Sequence, residues 1–379
     1  MASKSSAGMV DHIAIRRKRL RQAMRAKGLD GFLATDPQDV SYLSGFAGED
    51  SCLLVSRRSV ALITDSRYLE QAQKQCRGLG VIQRRDSMAR AVAIRAKKSG
   101  LSRIGLDAAG ICLAAYKQLG KALGRGRLVI VPGIIRRARI RKDAQERKAI
   151  RRAIKVAEEA FLAVLSWIRP GITELEASGR LEMEMKVRGS SQPAFPSIVA
   201  CGARTSMPHI HPGTGRFRAN QPILIDWGAT VDGYRCDLTR VVFLDSMPQS
   251  LRAAYEAVRE ASRAGMKMIR PGVSARQVDA AARMVIQKAG YGRYFGHGLG
   301  HGIGRDIHEA PTISPKSRDL LVEGMVFTIE PGIYLPGRGG IRTENDVLVT
   351  KRGCQVLSGL PDDQNWAVIK KKSTKASKR

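Results

Sequence analysis

Apolar residues recur in short runs through the first third of the chain. GFLATD (31–36), SCLLVS (51–56), SVALITD (59–65), RIGLD (103–107) and RLVIVPG (127–133) each read as a strand, and they alternate with helix-like stretches over 68–77 and 114–123. Before them, Ile13, Ile15, Leu20, Met24 and Leu29 recur among many bases, the pattern of an amphipathic opening helix over 11–29. Strands alternating with helices predict an α/β domain, here residues 1–135, with Val131-Pro132-Gly133 as its exit. From about Lys142 the period changes. Ile150, Ile154, Ala157, Phe161, Val164, Leu165 and Ile168 fall mostly three and four apart, which predicts one long helix ended by Pro170-Gly171. A second helix, from about Leu251, ends the same way at Pro271-Gly272.

Those two endings belong to a repeat. Ile168-Arg169-Pro170-Gly171-Ile172-Thr173 matches Ile269-Arg270-Pro271-Gly272-Val273-Ser274 at an offset of 101 residues. Thr173 is followed three positions later by Glu176 and Ser274 by Gln277, so each site predicts a capping box that opens another helix. Coincidence is the alternative, since Pro-Gly after a helix is common. A six-position match with the same cap favours internal duplication, and a duplicated α+β domain has a cleft between its halves.

PILIDWGATVDGYRCDLTRVVFL reads as a β-hairpin turning at Asp232-Gly233. That turn puts Val231 opposite Tyr234 and Asp237 opposite Gly228. Asp226 and Asp237 then project from one face as diagonal neighbours, about 7–8 Å apart at the backbone. Two like charges on an otherwise apolar hairpin are costly unless a cation or a cationic side chain lies there. Further on, FGHGLGHGIGRDIHEAP carries His297, His301 and His308. MVFTIEPGIY places Glu330 at the end of an apolar strand, and GIRTENDVLVT places Glu344 inside another. Singly, each reads as a satisfied imidazole or an edge carboxylate. Two Asp, two Glu and one His together predict a hard, oxygen-rich dinuclear metal site.

With these motifs in place, the chain resembles the creatinase/prolidase family of pita-bread metallopeptidases, of the Xaa-Pro aminopeptidase and Xaa-Pro dipeptidase type. LDGFLATDPQDVSYLSGF (29–46) matches the family's N-terminal domain, and the five acidic and imidazole residues occur in the family's order. The resemblance implies an α/β creatinase-like N-terminal domain, then an α+β pita-bread catalytic domain over 136–366 with internal pseudo-twofold duplication. A basic tail over 367–379 is expected to be disordered. It also implies that Asp226 chelates one metal, that Asp237 and Glu344 bridge two, and that His301 and Glu330 complete the second. His209 and His308 match histidines that contact substrate and assist proton transfer, while His297, Arg342 and Tyr334 match supporting positions. The implied reaction is hydrolysis of the N-terminal Xaa-Pro bond of a peptide or dipeptide by a metal-bridging hydroxide. Two divalent ions serve it, manganese first, with cobalt, zinc or iron as alternatives. Two positions depart from the family pattern: Asn345 stands where an acid is usual, and Arg305 where a small or apolar residue is usual.

Composition narrows the alternatives. The chain has 379 residues, 43% hydrophobic and 26% charged, ordinary for a globular protein. No run approaches the roughly 18 apolar residues of a membrane span, and no apolar segment follows the basic 16–27 stretch as a secretory signal would. The 6 cysteines lie apart with no CxxC pair, which predicts free thiols and a cytoplasmic setting. A net charge of +31 suits a nucleic-acid partner. The basic clusters lack interleaved aromatics, however, so a solvated basic surface is the stronger expectation, with nonspecific polyanion contact as a side effect. The competing functions are a pita-bread binding protein for RNA or ribosomes, which the retained ligand set disfavours, and a methionine aminopeptidase, which the N-terminal domain disfavours. Metal-free creatinase is disfavoured by the full ligand set, and a homodimer is expected from the resemblance alone.

Overall fold

Asp232 and Gly233 both adopt positive φ, 52° and 74°, as a two-residue hairpin turn with the right-handed twist of its strands requires. Around them the expected register forms: Tyr234 pairs with Val231, Leu238 with Trp227 and Thr239 with Asp226. The structure is a computed structural model that describes residues 4–124 and 126–370. It divides into two compact units, residues 1–139 and 140–379.

The first unit holds α1 (Lys4–Ala26), β1 (Gly31–Ala34), α2 (Pro37–Ser44), β2 (Ser51–Ser56), β3 (Val60–Thr64), α3 (Leu69–Gln75), β4 (Gly80–Gln83), α4 (Met88–Lys98), β5 (Ile104–Leu106), α5 (Leu113–Leu123), β6 (Leu128–Ile130) and α6 (Ile134–Arg139). Its strands make one mixed sheet in the order β4-β3-β2-β1-β5-β6. Every apolar run read as a strand is one. β4 is the addition: GVIQ is short, half-exposed and lacks the apolar density of the others. The expected exit at 135 falls within α6, whose Arg139 makes a buried ion pair at 2.9 Å with Asp39 of α2.

The second unit holds α7 (Ala144–Leu165), α8 (Glu174–Val187), β7 (Ile198–Cys201), β8 (Pro222–Trp227), β9 (Thr230–Val231), β10 (Tyr234–Arg235), β11 (Leu238–Leu244), α9 (Gln249–Met268) and α10 (Ala275–Lys288). It continues with β12 (Gly300–Gly302), β13 (Glu309–Ile313), β14 (Val326–Ile329), β15 (Gly332–Leu335), β16 (Gly339–Arg342), β17 (Asn345–Val349), β18 (Cys354–Val356) and β19 (Val368–Ile369). Two sheets carry the core, β19-β11-β8-β7 and β13-β12-β14-β17-β18.

The duplication is physical. Both predicted capping boxes form, Thr173 with Glu176 and Ser274 with Gln277. Gly171 and Gly272 take φ of 95° and 87°, which a side chain would strain. Their N–H groups donate to Phe217 O and Leu321 O, each at 2.9 Å. Each half therefore runs long helix, Pro-Gly turn, capped helix of 14 residues, then strands. Indole stacking fixes the first half: Trp227 lies on Phe161 with centroids 4.2 Å apart and donates to Ala157 O at 2.9 Å.

At the C-terminal end, β19 pairs parallel with β11, and Ala367 is fully buried. Residues 367–370 thus belong to the folded unit, because apolar Ala367, Val368 and Ile369 complete the edge beside Phe243 and Leu244. The rest of the expected tail, 371–379, lies outside the described residues. All six cysteines are free, and no described helix is long and apolar enough to cross a membrane.

Candidate active site

Four carboxylates meet because two hairpins have the same layout. Asp226 lies near the end of β8 and Asp237 just before β11; Glu330 follows β14 and Glu344 precedes β17. The hairpins are stitched together at Thr239 and Glu344, where the Glu344 N–H donates to Thr239 O at 3.1 Å. Asp226, Asp237 and Glu344 are each less than a tenth exposed.

His301, on β12, completes the group. Its Nε2 lies 3.5 Å from Asp237 Oδ2 and 3.5 Å from Glu330 Oε1. Its Nδ1 faces Gly302 O at 3.1 Å, which assigns the proton to Nδ1 and leaves Nε2 a lone pair. Burial, with His308 beside it, pushes the imidazole down to about 4, so it is neutral at pH 7. A neutral nitrogen lone pair thus faces two acidic side chains. One ligand atom each from Asp237, His301 and Glu344 lies within 4.8 Å of the others.

Burial raises every acid in the group. Glu330 is pushed up to about 7. Asp237 and Glu344 rise well above the carboxylate range, through burial and then through neighbouring carboxylates. Asp226 also rises by burial, although the Arg342 guanidinium acts against it. Asp226 Oδ2 accepts from Arg342 Nη2 at 2.5 Å, while its Oδ1 is buried with no partner among the described residues. Four acids face one guanidinium, with a spare buried oxygen and an imidazole lone pair aimed inward. That donor set fits divalent cations.

Around this centre lie the remaining candidates. Arg342 also donates from Nε to Thr239 Oγ1 at 3.1 Å and from Nη1 to Tyr334 Oη at 2.9 Å. Tyr334 Oη in turn bonds His297 Nε2 at 2.9 Å. His297 is thus linked to Asp226 through Tyr334 and Arg342. His308 packs edge-on to His301 with ring centroids 4.2 Å apart. His209 is exposed and acts electrostatically on Asp226, His297 and His308. The structure thus gathers the candidate ligands and their supporting residues into one region of the second unit.

Other contributors were not singled out. Thr239 Oγ1 donates to Glu344 Oε2 at 2.6 Å, and Thr328 Oγ1 to Glu330 Oε1 at 3.1 Å. Asp346, buried and pushed up to about 8, accepts from the Asp237 N–H at 3.1 Å. Strand alternation is the signal that finds them, since each lies two positions from an acid of the group. The two departures face elsewhere. Asn345 Oδ1 accepts from Arg240 at 2.8 Å and from Ser358 at 2.9 Å, and the buried Arg305 guanidinium lies over the Tyr234 ring at 5.0 Å.

Comparison with known proteins decides the family. The model for metallopeptidase family M24 matches residues 148–351, and that for the creatinase/prolidase N-terminal domain matches residues 16–141. The chain belongs to metallopeptidase family M24. This M24 chain is 32% identical over 345 residues to the Xaa-Pro dipeptidase of Pyrococcus horikoshii, covering 90% of itself and 96% of that protein. Among solved structures it is similar to an Xaa-Pro dipeptidase from Bacillus anthracis, with TM-score 0.90, 34% identity, and coverage of 94% and 100%. It is also similar to an X-Pro aminopeptidase from Thermotoga maritima, with TM-score 0.86, 34% identity, and coverage of 92% and 99%. The M24 chain is a hydrolase with a creatinase-type N-terminal domain and a pita-bread catalytic domain, as its sequence motifs predicted.

Proposed function

We propose that this M24 chain is a divalent-metal-dependent exopeptidase that hydrolyses the N-terminal Xaa-Pro bond of peptides or dipeptides. The observation that carries this reading is the convergence of Asp226, Asp237, Glu330 and Glu344 with the His301 lone pair. Asp226 and Asp237 would hold one ion and His301 with Glu330 the other, Asp237 and Glu344 being shared; manganese is the first candidate. When bound, such ions acidify a water and polarise the scissile carbonyl.

The chain's own groups supply the rest. Glu330, with its carboxyl pushed up to about 7, is suited to take a proton at Oε and return it to the leaving prolyl nitrogen. Thr328 holds that carboxyl in place through its hydroxyl. Arg342 anchors Asp226, and its bond to Tyr334 sets the donor chain that ends on His297. His209 and His308, both exposed beside the acids, are placed to contact the substrate and stabilise charge on its carbonyl oxygen. An Xaa-Pro bond has no N–H, so recognition falls on the free α-amine, the proline ring and the carbonyl.

The Bacillus anthracis dipeptidase and the Thermotoga maritima aminopeptidase share the same 34% identity with this chain. The subtype is therefore a measurement: Mn-loaded protein against Ala-Pro, Ala-Pro-Ala and Ala-Ala-Ala, with Asp237→Ala as control. Cleavage of the proline substrates alone, lost in the control, supports the reading, and the dipeptide-to-tripeptide ratio sets the subtype. Metal-loaded protein inert on both proline substrates overturns it. We also propose a cytoplasmic homodimer, tested by light scattering of the purified chain; a monomer at micromolar concentration ends that part.

A further inference from the structure

The first unit has a feature that peptidase chemistry does not use. β4 closes one end of the six-stranded sheet, and among the described residues no strand pairs with its outer edge. The Arg84 N–H donates to Thr64 O on β3 at 2.7 Å. By alternation, Gly80 and Ile82 turn their backbone groups toward β3, and Val81 and Gln83 present theirs outward. Beside this edge runs α4, and a groove of about 680 Å³ lies between the two. From Arg90 to Lys98 its helical wall is about 12 Å long, close to the reach of a four-residue strand at about 3.3 Å per residue.

The groove has an apolar floor and cationic walls. Ile82 and Ile94 line it, and Ile94 is 61% exposed although it sits mid-helix. Arg84 is pinned by Asp50 at 2.9 Å and Asp65 at 3.0 Å, with its Nε buried and without a partner among the described residues. Asp86 is matched by Arg90 at 2.6 Å. That leaves Arg85, Arg95 and Lys98 lining the groove with no ion pair among the described residues. An open strand edge invites pairing, and edge cations discourage it between like chains. In a chain of +31 the same charges repel a second copy and attract an acidic segment. An edge strand flanked by a helix is also the geometry by which extended peptides are captured through strand addition.

We propose that the β4–α4 groove binds an extended acidic segment of a partner protein. The segment adds a strand to β4 through the outward backbone groups of Val81 and Gln83. Its side chains on the α4 face make both contacts, apolar ones resting on Ile82 and Ile94 and carboxylates meeting Arg85, Arg95 and Lys98.

The test is fluorescence anisotropy with the full chain and an acetylated, proline-free peptide repeating Glu-Glu-Val-Val, which puts both residue types on each face of a strand. Acetylation removes the free amine that an N-terminal exopeptidase site needs, so failure of the peptidase reading leaves the result interpretable. Saturable binding is expected. The double variant Arg95→Glu/Lys98→Glu and the single variant Ile94→Asp should each weaken it by roughly tenfold or more. None of the three positions is buried, and unchanged circular dichroism controls for folding. N-methylation of alternate peptide residues should abolish binding in one register and spare it in the other. Three outcomes overturn the proposal: no binding at about 1 mM peptide, equal affinity for a block Glu/Val peptide or a single-stranded oligonucleotide, or unchanged affinity in the variants. In each case the cations beside β4 serve only to guard its edge.

Discussion

Thr239 and Glu344 are joined twice. The Glu344 N–H donates to Thr239 O at 3.1 Å, and Thr239 Oγ1 donates to Glu344 Oε2 at 2.6 Å. One bond stitches the two hairpins, and the other aims the carboxylate. Arg342 Nε reaches the same hydroxyl at 3.1 Å, so a single threonine links the acids of both halves.

Thr239→Val separates those roles, because it keeps the shape and the backbone bridge but removes the hydroxyl. Unfolding free energy should fall by only about 1–2 kcal/mol. Manganese affinity should fall by roughly 10–100-fold, the usual cost of losing an outer partner of a metal ligand. Titration calorimetry and urea unfolding of the same preparation check both. Unchanged metal affinity would mean that Glu344 needs no aiming.

Removing an acid should stabilise the metal-free protein. Asp237 is buried against Glu344, Asp226 and Glu330, and burial together with their mutual repulsion holds its carboxyl well above the ordinary range. Asp237→Asn relieves that repulsion, so in chelator the variant should gain about 1–2 kcal/mol, while added manganese should raise its melting temperature less than it raises the wild type's. Calorimetric scans with and without metal decide it. A less stable variant in chelator would contradict the repulsion.

Metal-free stability should also fall with rising pH. Glu330, pushed up to about 7, and Asp346, up to about 8, hold protons in the fold that the unfolded chain gives up near 4.5 and 3.8. The native state then binds more protons, and stability declines as pH rises. His297 and His301, both depressed to about 4, act the opposite way, but only below 6.5. Between about pH 6.5 and 8 the raised acids set the slope. Urea midpoints should therefore drop across that window in chelator and be flatter with manganese present.

What the sequence made legible followed local rules. The Asp232-Gly233 turn set the register that places Asp226 and Asp237 on one face, and paired Ser/Thr with Glu/Gln marked both caps. The five central residues stood out because charge in an apolar strand is conspicuous. Thr239 and Thr328 were hidden only because hydroxyls in strands are ordinary. β4 was missed for lack of apolar density, and β19 because its two residues precede a lysine run. The contacts of Arg240 had no local signal at all, since two of its acceptors, Leu360 O and Pro361 O, lie far along the chain.

Arg240 also sets the last expectation. It is buried and donates to Thr239 O at 2.9 Å, Glu344 O at 2.7 Å, Asn345 Oδ1 at 2.8 Å, Leu360 O at 2.7 Å and Pro361 O at 3.0 Å. Every one of those acceptors is neutral, and burial lowers the guanidinium's pKa. Asn345→Asp replaces the amide with a carboxylate of the same shape, turning that bond into a charge-assisted one worth about 1–2 kcal/mol more. The new charge points toward Arg240, one residue from Glu344, so it should strengthen the clamp on the Thr239–Glu344 bridge. Manganese-loaded Asn345→Asp should therefore unfold at higher urea than wild type, with equal or tighter metal binding. Glu158 is a nearby acid that also acts on Arg240 and would repel a second carboxylate there. A lower urea midpoint that Glu158→Gln, made in the same background, fails to restore would contradict the clamp.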